Sequence, residues 1–164
     1  MRLPHRKPGK YTHRTYDPLL TADKLRALQK KLTDLKEKRK FYMEEVSRLA
    51  ELGDFSENVE YQLAKRELRR INSAITVLEH RINTAEVITP KDTDTVEVGH
   101  SVTVDTGERL QTYQILGSSE IDLARGIISY TSPIGSALLG KRVGDTALIS
   151  LPKKILSYKI MSIE

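Results

Sequence analysis

The chain has no cysteine and no tryptophan, and aromatic residues make up only 5% of its 164 residues. Without cysteine there are no disulfides, no thiolate catalysis and no Cys-ligated zinc. The shortage of aromatics suits a molecule with much surface and little core. No apolar run approaches the length of a membrane span, and the basic N-terminal residues are not followed by the apolar stretch of a signal peptide. A soluble, cytoplasmic protein with no membrane partner is expected. His5, His13, His80 and His100 show no metal-ligand spacing. There is no glycine-rich phosphate loop and no Gly-x-Ser-x-Gly, and Gly140-Lys141 lacks the upstream glycine of a P-loop. Nothing in the chain forms a self-contained catalytic site.

What is present is charge and periodicity. Charged residues make up 30% of the chain and the net charge is +5. The excess lies at the front: Arg2, Arg6, Lys7, Lys10 and Arg14 face a single acid, Asp17, within residues 1–20. Residues 21–52 add nine basic and six acidic side chains. Such charge favours polyanions, nucleic acid (DNA or RNA) above all and without sequence preference, or else serves only as a solubilising surface.

Residues 1–20 contain Pro4, Pro8, Gly9 and Pro18 with little apolar content and are expected to form a basic, disordered arm. Thr21 then offers a helix cap, and Asp23 falls in the first turn, where the helix dipole favours an acid. Apolar residues recur at Leu25, Leu28, Leu32, Leu35, Tyr42, Val46 and Leu49, and again at Leu68, Ile71, Ile75, Leu78, Ile82 and Ala85. Steps alternating between three and four are the seam of a coiled coil. Two helices, about 21–52 and about 55–87, are predicted to pair as an antiparallel hairpin within residues 21–88. Arg39 takes a seam position where an apolar residue is expected.

Between the two helices lies Gly53-Asp54-Phe55-Ser56-Glu57-Asn58-Val59-Glu60-Tyr61. Asp54 and Glu57 have the spacing of a capping box, with Gly53 ending the first helix in a left-handed conformation. The same two carboxylates would also form half of a site for a hard divalent cation such as Mg²⁺, too few ligands to hold it without a partner. Behind this tip, Lys65, Arg66, Arg69 and Arg70 cluster on helix two, and Lys36, Lys38, Arg39 and Lys40 on helix one. They are either solvated flanks of the coiled coil or a track for a nucleic-acid strand. Tyr61 would pack over the hairpin end or stack on a base.

Residues 89–97 form a polar linker, after which the period changes. Short β-rich runs at 101–105, 112–116, 127–131, 147–151 and 155–163 are separated by turn signals. Ser132-Pro133 opens and Gly140 closes one short helix. The fold class is α+β: a helical hairpin followed, over residues 98–164, by a small antiparallel sheet with one helix packed on it.

From about Leu20 to its end the chain resembles bacterial transcript-cleavage (elongation) factors of the GreA/GreB type. Three segments carry the match: Leu20-Thr21 with Lys24-Leu25, the tip block Gly53–Tyr61, and Ile128-Ser129-Tyr130-Thr131-Ser132-Pro133-Ile134-Gly135-Ser136-Ala137-Leu138-Leu139-Gly140-Lys141 followed by Gly144-Asp145. The resemblance implies a C-terminal domain of FKBP-like fold that docks on RNA polymerase through the segment around Thr131, Ser132 and Pro133. It implies a monomer whose hairpin enters the polymerase secondary channel, where the RNA 3′ end lies in backtracked complexes. Asp54 and Glu57 would help hold a Mg²⁺ shared with the polymerase and orient a water, so that the polymerase's own active site cleaves the RNA. Gly53, Asn58 and Tyr61 would support the tip, and Lys65, Arg66 and Arg69 would contact RNA. The factor would itself be no enzyme. A channel-plugging inhibitor on the same fold and an FKBP-like prolyl isomerase are the rival expectations. The chain departs from the family in its longer basic arm and in lacking a proline near Lys40-Phe41. Its second helix looks GreB-like and its Ser132–Lys141 segment GreA-like.

Overall fold

Thr21 opens the first long helix, its hydroxyl accepting the Lys24 N–H at 3.2 Å. In the computed structural model, which describes residues 16–51, 53, 58–90, 94–151 and 154–164, helix α1 runs Ala22–Glu51 and helix α2 runs Val59–Asn83. At 1.5 Å per residue they are about 45 Å and about 38 Å long. They pack chiefly on each other. Their seam buries Leu28 and Leu49 on one side and Ala64, Ile71, Ile75 and Leu78 on the other. Lys36 Nζ crosses it to Glu79 Oε1 at 2.8 Å. Arg39 is half-buried in the seam, and its Nε is buried without a hydrogen-bond partner. No helix among the described residues is long and apolar enough to cross a membrane.

Both ends of α2 fall inside the predicted span. Asn58 caps its start, its side chain accepting the Tyr61 N–H at 3.0 Å. It stops at Asn83, where Thr84 bonds back to His80 through both its N–H and its hydroxyl. The apolar period continues through Ala85, but the next backbone groups turn elsewhere. Strand β1 (Leu19–Leu20) pairs in parallel with β2 (Glu86–Val87), with Glu86 N–H donating to Pro18 O and Ile88 N–H to Leu20 O. Residues 16–20, expected to belong to a disordered arm, therefore include a strand. Leu20 anchors it: 1% exposed, it clusters with Leu28 and Leu78 over Leu32, Leu35, Ile82 and Ala85. Burial of such a side chain stabilises by roughly 1.5–3 kcal/mol. The rest of the arm, 1–15, lies outside the described residues.

The C-terminal half is a five-stranded sheet in the order β5-β4-β3-β7-β6, formed by β3 (Ser101–Asp105), β4 (Leu110–Leu116), β5 (Ile127–Ser129), β6 (Thr146–Leu151) and β7 (Lys154–Ile163). It is mixed rather than wholly antiparallel, because β5 pairs in parallel with β4. The connection between them, residues 117–126, returns the chain alongside β4, opposite Gln114, through a 3-10 turn (Leu123–Arg125) closed by Gly126 at φ 74°. On the inner face Val102, Val104, Ile115, Ala147 and Ile149 are all fully buried, as is Leu138 of the short helix packed on it. Val96 belongs to the same core, and its N–H and C=O bond to Lys141 and Gly140, so the far end of the expected 89–97 linker is part of the domain. Short helix α3 (Pro133–Leu138) forms as predicted: Ser132 caps it and Pro133 starts it. It lies so close to β5 that a Cβ on Gly135 would meet the Ser129 carbonyl oxygen at 2.2 Å.

Candidate functional site

The predicted site residues fall in two clusters, one at the free end of the hairpin and one on the sheet domain. At the hairpin end, Gly53 adopts φ 74° just after α1, and its N–H bonds to Ala50 O at 3.3 Å. Asn58, with extended backbone, is the cap of the second helix, the role the sequence pattern suggested for Asp54. Asp54 and Glu57 themselves lie outside the described residues. The sequence places them between Gly53 and Asn58, beyond the last turn of α1 and before the first turn of α2.

Tyr61 sits in the first turn of α2, half-buried, with Lys65 Nζ 5.3 Å from its ring centroid. A cation at that distance from a phenol ring is attracted by the ring's quadrupole, and the contact holds Lys65 beside the hairpin end. Lys65, Arg66 and Arg69 then line one groove of about 350 Å³ together with Val59, Gln62 and Leu63. Val59 and Leu63 are 68% and 47% exposed. These two apolar members were not among the sequence candidates. Their signal was available, since both lie off the heptad seam. A groove carrying three cations and an apolar floor suits a polyanion with hydrophobic bases better than a bare anion.

The other basic residues separate. Arg70 faces away from this groove and pairs with Glu67 at 3.6 Å. With Lys31, Lys38, Phe41 and Tyr42 it lines a second groove, of about 570 Å³, farther from the tip. Phe41 there is 60% exposed and stands edge-on to Tyr42 at 5.3 Å. Of the cluster predicted on helix one, Lys36 is engaged with Glu79 and Arg39 lies in the seam. The eight cations do not form one continuous track. Nearer the tip, Arg48 bonds Glu45 through two nitrogens, at 3.0 and 2.6 Å. Hydrogen bonding to that guanidinium holds the Glu45 carboxyl below its usual range and raises Arg48.

On the sheet domain, Thr131, Ser132 and Pro133 lead from β5 into α3. Thr131 and Pro133 are exposed, and Ser132 is half-buried with its hydroxyl accepting the Gly135 N–H at 3.0 Å. The segment is held from behind by Ser129, whose buried Oγ accepts the Thr131 N–H at 3.1 Å and lies 2.7 Å from Thr131 Oγ1. Ser118 Oγ continues the chain of hydroxyls 3.2 Å from Ser129 Oγ. Neither Ser118 nor Ser129 carries a sequence signal for this role, because the two meet only through the parallel β4–β5 pairing.

Two family models match the chain: "Transcription elongation factor, N-terminal" over residues 18–87 and "Transcription elongation factor, GreA/GreB, C-term" over residues 90–164. Transcription elongation factor GreA of Thermosipho africanus is 40% identical over 149 residues, covering 88% of this chain and 95% of that protein. Transcription elongation factor GreA 1 of Lactiplantibacillus plantarum is 34% identical, covering 88% and 94%. Among solved structures, GreA factor homolog 1 of Thermus thermophilus aligns with a TM-score of 0.42 at 24% identity, covering 90% of this chain and 99% of that one.

Proposed function

The chain belongs to the GreA/GreB family of transcription elongation factors, and from that premise we propose that it rescues arrested bacterial RNA polymerase by stimulating cleavage of backtracked RNA. The C-terminal domain docks on the polymerase through the Thr131–Pro133 segment. The hairpin enters the secondary channel and brings Asp54 and Glu57 to the polymerase active site. One observation carries this reading: a pair of helices about 45 and 38 Å long, packed chiefly on each other, with two acids between them in sequence and a basic groove immediately behind.

Oxygen donors suit Mg²⁺, but two carboxylates are too few to retain it, and the amide oxygen of Asn58 is already committed to the Tyr61 N–H. The donor set therefore fits an ion whose remaining ligands belong to the polymerase. When bound, such an ion would supply positive charge to offset what develops on the scissile phosphate. Asp54 and Glu57 would contribute carboxylate oxygens to it and would accept a hydrogen bond from the attacking water. Lys65, Arg66 and Arg69 hold the extruded RNA strand by its phosphates. The factor binds and positions, and the polymerase carries out the hydrolysis.

The isomerase alternative finds no support in the aromatic residues. Tyr113 and Tyr158 stack on each other in the core, ring centroids 6.3 Å apart, and Tyr130 packs against the same cluster.

The test is to add the protein to arrested polymerase with Mg²⁺ and look for shortened transcripts that can be extended. Asp54→Ala and Glu57→Ala should each abolish stimulated cleavage and leave polymerase affinity nearly unchanged. Cleavage by the double variant at the parental rate would refute the reading, as would a parental protein that blocks the polymerase instead of rescuing it. Charge reversal at Lys65 and Arg66 should weaken engagement of backtracked RNA more at low salt than at high salt. A salt-independent effect would remove RNA from the groove.

A further inference from the structure

The hairpin and the sheet domain meet at a joint that no catalytic or docking residue explains, and its construction is reciprocal. Asp17, on the hairpin side, reaches across to the domain: its Oδ2 accepts the Ser118 N–H at 2.7 Å and the Ser118 hydroxyl at 2.9 Å. Its Oδ1 accepts the Leu19 N–H at 3.1 Å, which fixes the carboxylate to its own strand. Glu120, on the domain side, reaches back. Its Oε2 accepts the Thr21 N–H at 2.8 Å and its Oε1 the Thr21 hydroxyl at 2.6 Å. Thr21 is the residue that opens α1, so a carboxylate of one domain grips the cap of the other domain's longest helix.

Two glycines bring the backbones together between these grips. A Cβ on Gly117 would lie 2.2 Å from the Leu19 carbonyl oxygen, and a Cβ on Gly99 2.7 Å from Ile88 Cγ2. One contact holds the strand entering the hairpin, the other the chain leaving it. Tyr16 adds a further tie, with the Arg81 guanidinium 4.5 Å from its ring centroid. The joint also continues into the docking segment, because Asp17, Ser118, Ser129 and Thr131 form one hydrogen-bonded series ending beside Ser132 and Pro133.

We propose that Asp17 and Glu120 are positioning residues, which fix the direction of the hairpin relative to the docking face. The proposal rests on the reading that the hairpin must reach a distant active site while the domain stays docked. Leverage makes the joint decisive. With a lever of about 45 Å, a tilt of about 10° at the base displaces the tip by about 8 Å. Chemistry that tolerates misplacement of only about 1 Å cannot use such a tip. The segment from Tyr16 to Thr21 thus acts as a strap, and the basic residues that precede it in sequence are not needed for aiming.

The absence of native cysteine makes the test direct. Spin labels on Glu44→Cys in α1 and Thr146→Cys in β6 report the angle between the two bodies as a distance distribution. In the parent background a single narrow distribution is expected. Asp17→Ala with Glu120→Ala should broaden it, and the same pair should lower stimulated cleavage by about tenfold to a hundredfold while polymerase affinity changes less than about twofold. Glu120→Gln, which keeps one acceptor oxygen, should restore part of both. An unchanged narrow distribution in the double alanine variant overturns the proposal, as does a loss of cleavage matched by an equal loss of affinity. If the parent fails to stimulate cleavage, the functional reading falls, and the distance distributions still decide whether these two carboxylates hold the joint.

Discussion

The hairpin and the sheet domain solve the problem of burial in opposite ways. The hairpin has a single seam: one row of side chains per helix, many of them half-buried, with solvent on both flanks. The domain surrounds a common interior to which every strand of its sheet and α3 contribute, and among the described residues eleven buried ones form its core. A seam depends on pattern and tolerates local change, since each residue touches few others. A shared interior depends on shape, and losing one side chain affects neighbours on several strands. The difference matches the parts the two regions are proposed to play, a narrow rod that enters and a body that stays outside.

The largest test of this contrast is a cavity in each region. Ile115 is fully buried at the centre of the sheet, and Ile115→Ala should cost about 2–5 kcal/mol. Leu35 is only half-buried in the hairpin, so Leu35→Ala should cost less, about 1 kcal/mol, since exposed methylenes lose less on truncation. Amide exchange read separately for the two regions measures both. Equal losses would show that the hairpin seam is as constrained as the sheet core.

A second test uses alkaline pH. Burial, with a contribution from hydrogen bonding to Tyr158, pushes the Tyr113 phenol from 10.0 up to about 12. The neutral phenol is therefore favoured in the folded domain. Below about pH 10 both folded and unfolded chains keep the proton, and the stabilisation is complete. As pH rises from about 10 toward about 12 the unfolded chain releases its proton first, and domain stability falls. Tyr113→Phe should flatten that decline in denaturation curves taken across the window, and the hairpin's amides should show none of it. A decline of the same size in the Phe variant would assign it to another group.

How much of each region was legible in the sequence follows from the same contrast. The seam was visible because Leu28, Leu32 and Leu35, or Ile71, Ile75 and Leu78, lie within a few residues of one another and the period alone places them on one face. The helix α3 was visible because Ser132, Pro133 and Gly140 are local signals. What escaped notice depends on distant partners. The pairing of Leu19–Leu20 with Glu86–Val87 involves two residues on each side, too few to show a period. The parallel β4–β5 pair has three, and alternation shows which face a strand buries without naming its neighbour. The carboxylates of Asp17 and Glu120 look like ordinary surface charge until the joint closes around them. Within the tip, the ambiguity was of another kind. The capping-box pattern pointed to Asp54 and the structure uses Asn58; both are good capping residues, and propensity does not choose between them.

That choice supplies the smallest and most local test. Asn58 accepts the Tyr61 N–H at 3.0 Å and starts a helix whose first turn faces solvent on most sides. Asn58→Ala removes the acceptor and should cost about 1 kcal/mol, whereas Asn58→Asp keeps an acceptor and adds charge favourable to the helix N-terminus. Ser132 makes the corresponding bond at the start of α3, to the Gly135 N–H at 3.0 Å. The cost of Ser132→Ala should be similar but differently distributed. In the hairpin the lost cap should show as faster exchange confined to the first turn of α2, including Tyr61, because that turn lies at a helix end largely open to solvent. In the domain, Leu138 and Gly135 are packed into the shared interior, so α3 should stay closed and the loss should appear only in global unfolding. If Asn58→Ala left Tyr61 exchange unchanged, the tip would be held by something other than its cap. The steadiness of Lys65 beside Tyr61 would then need a different source.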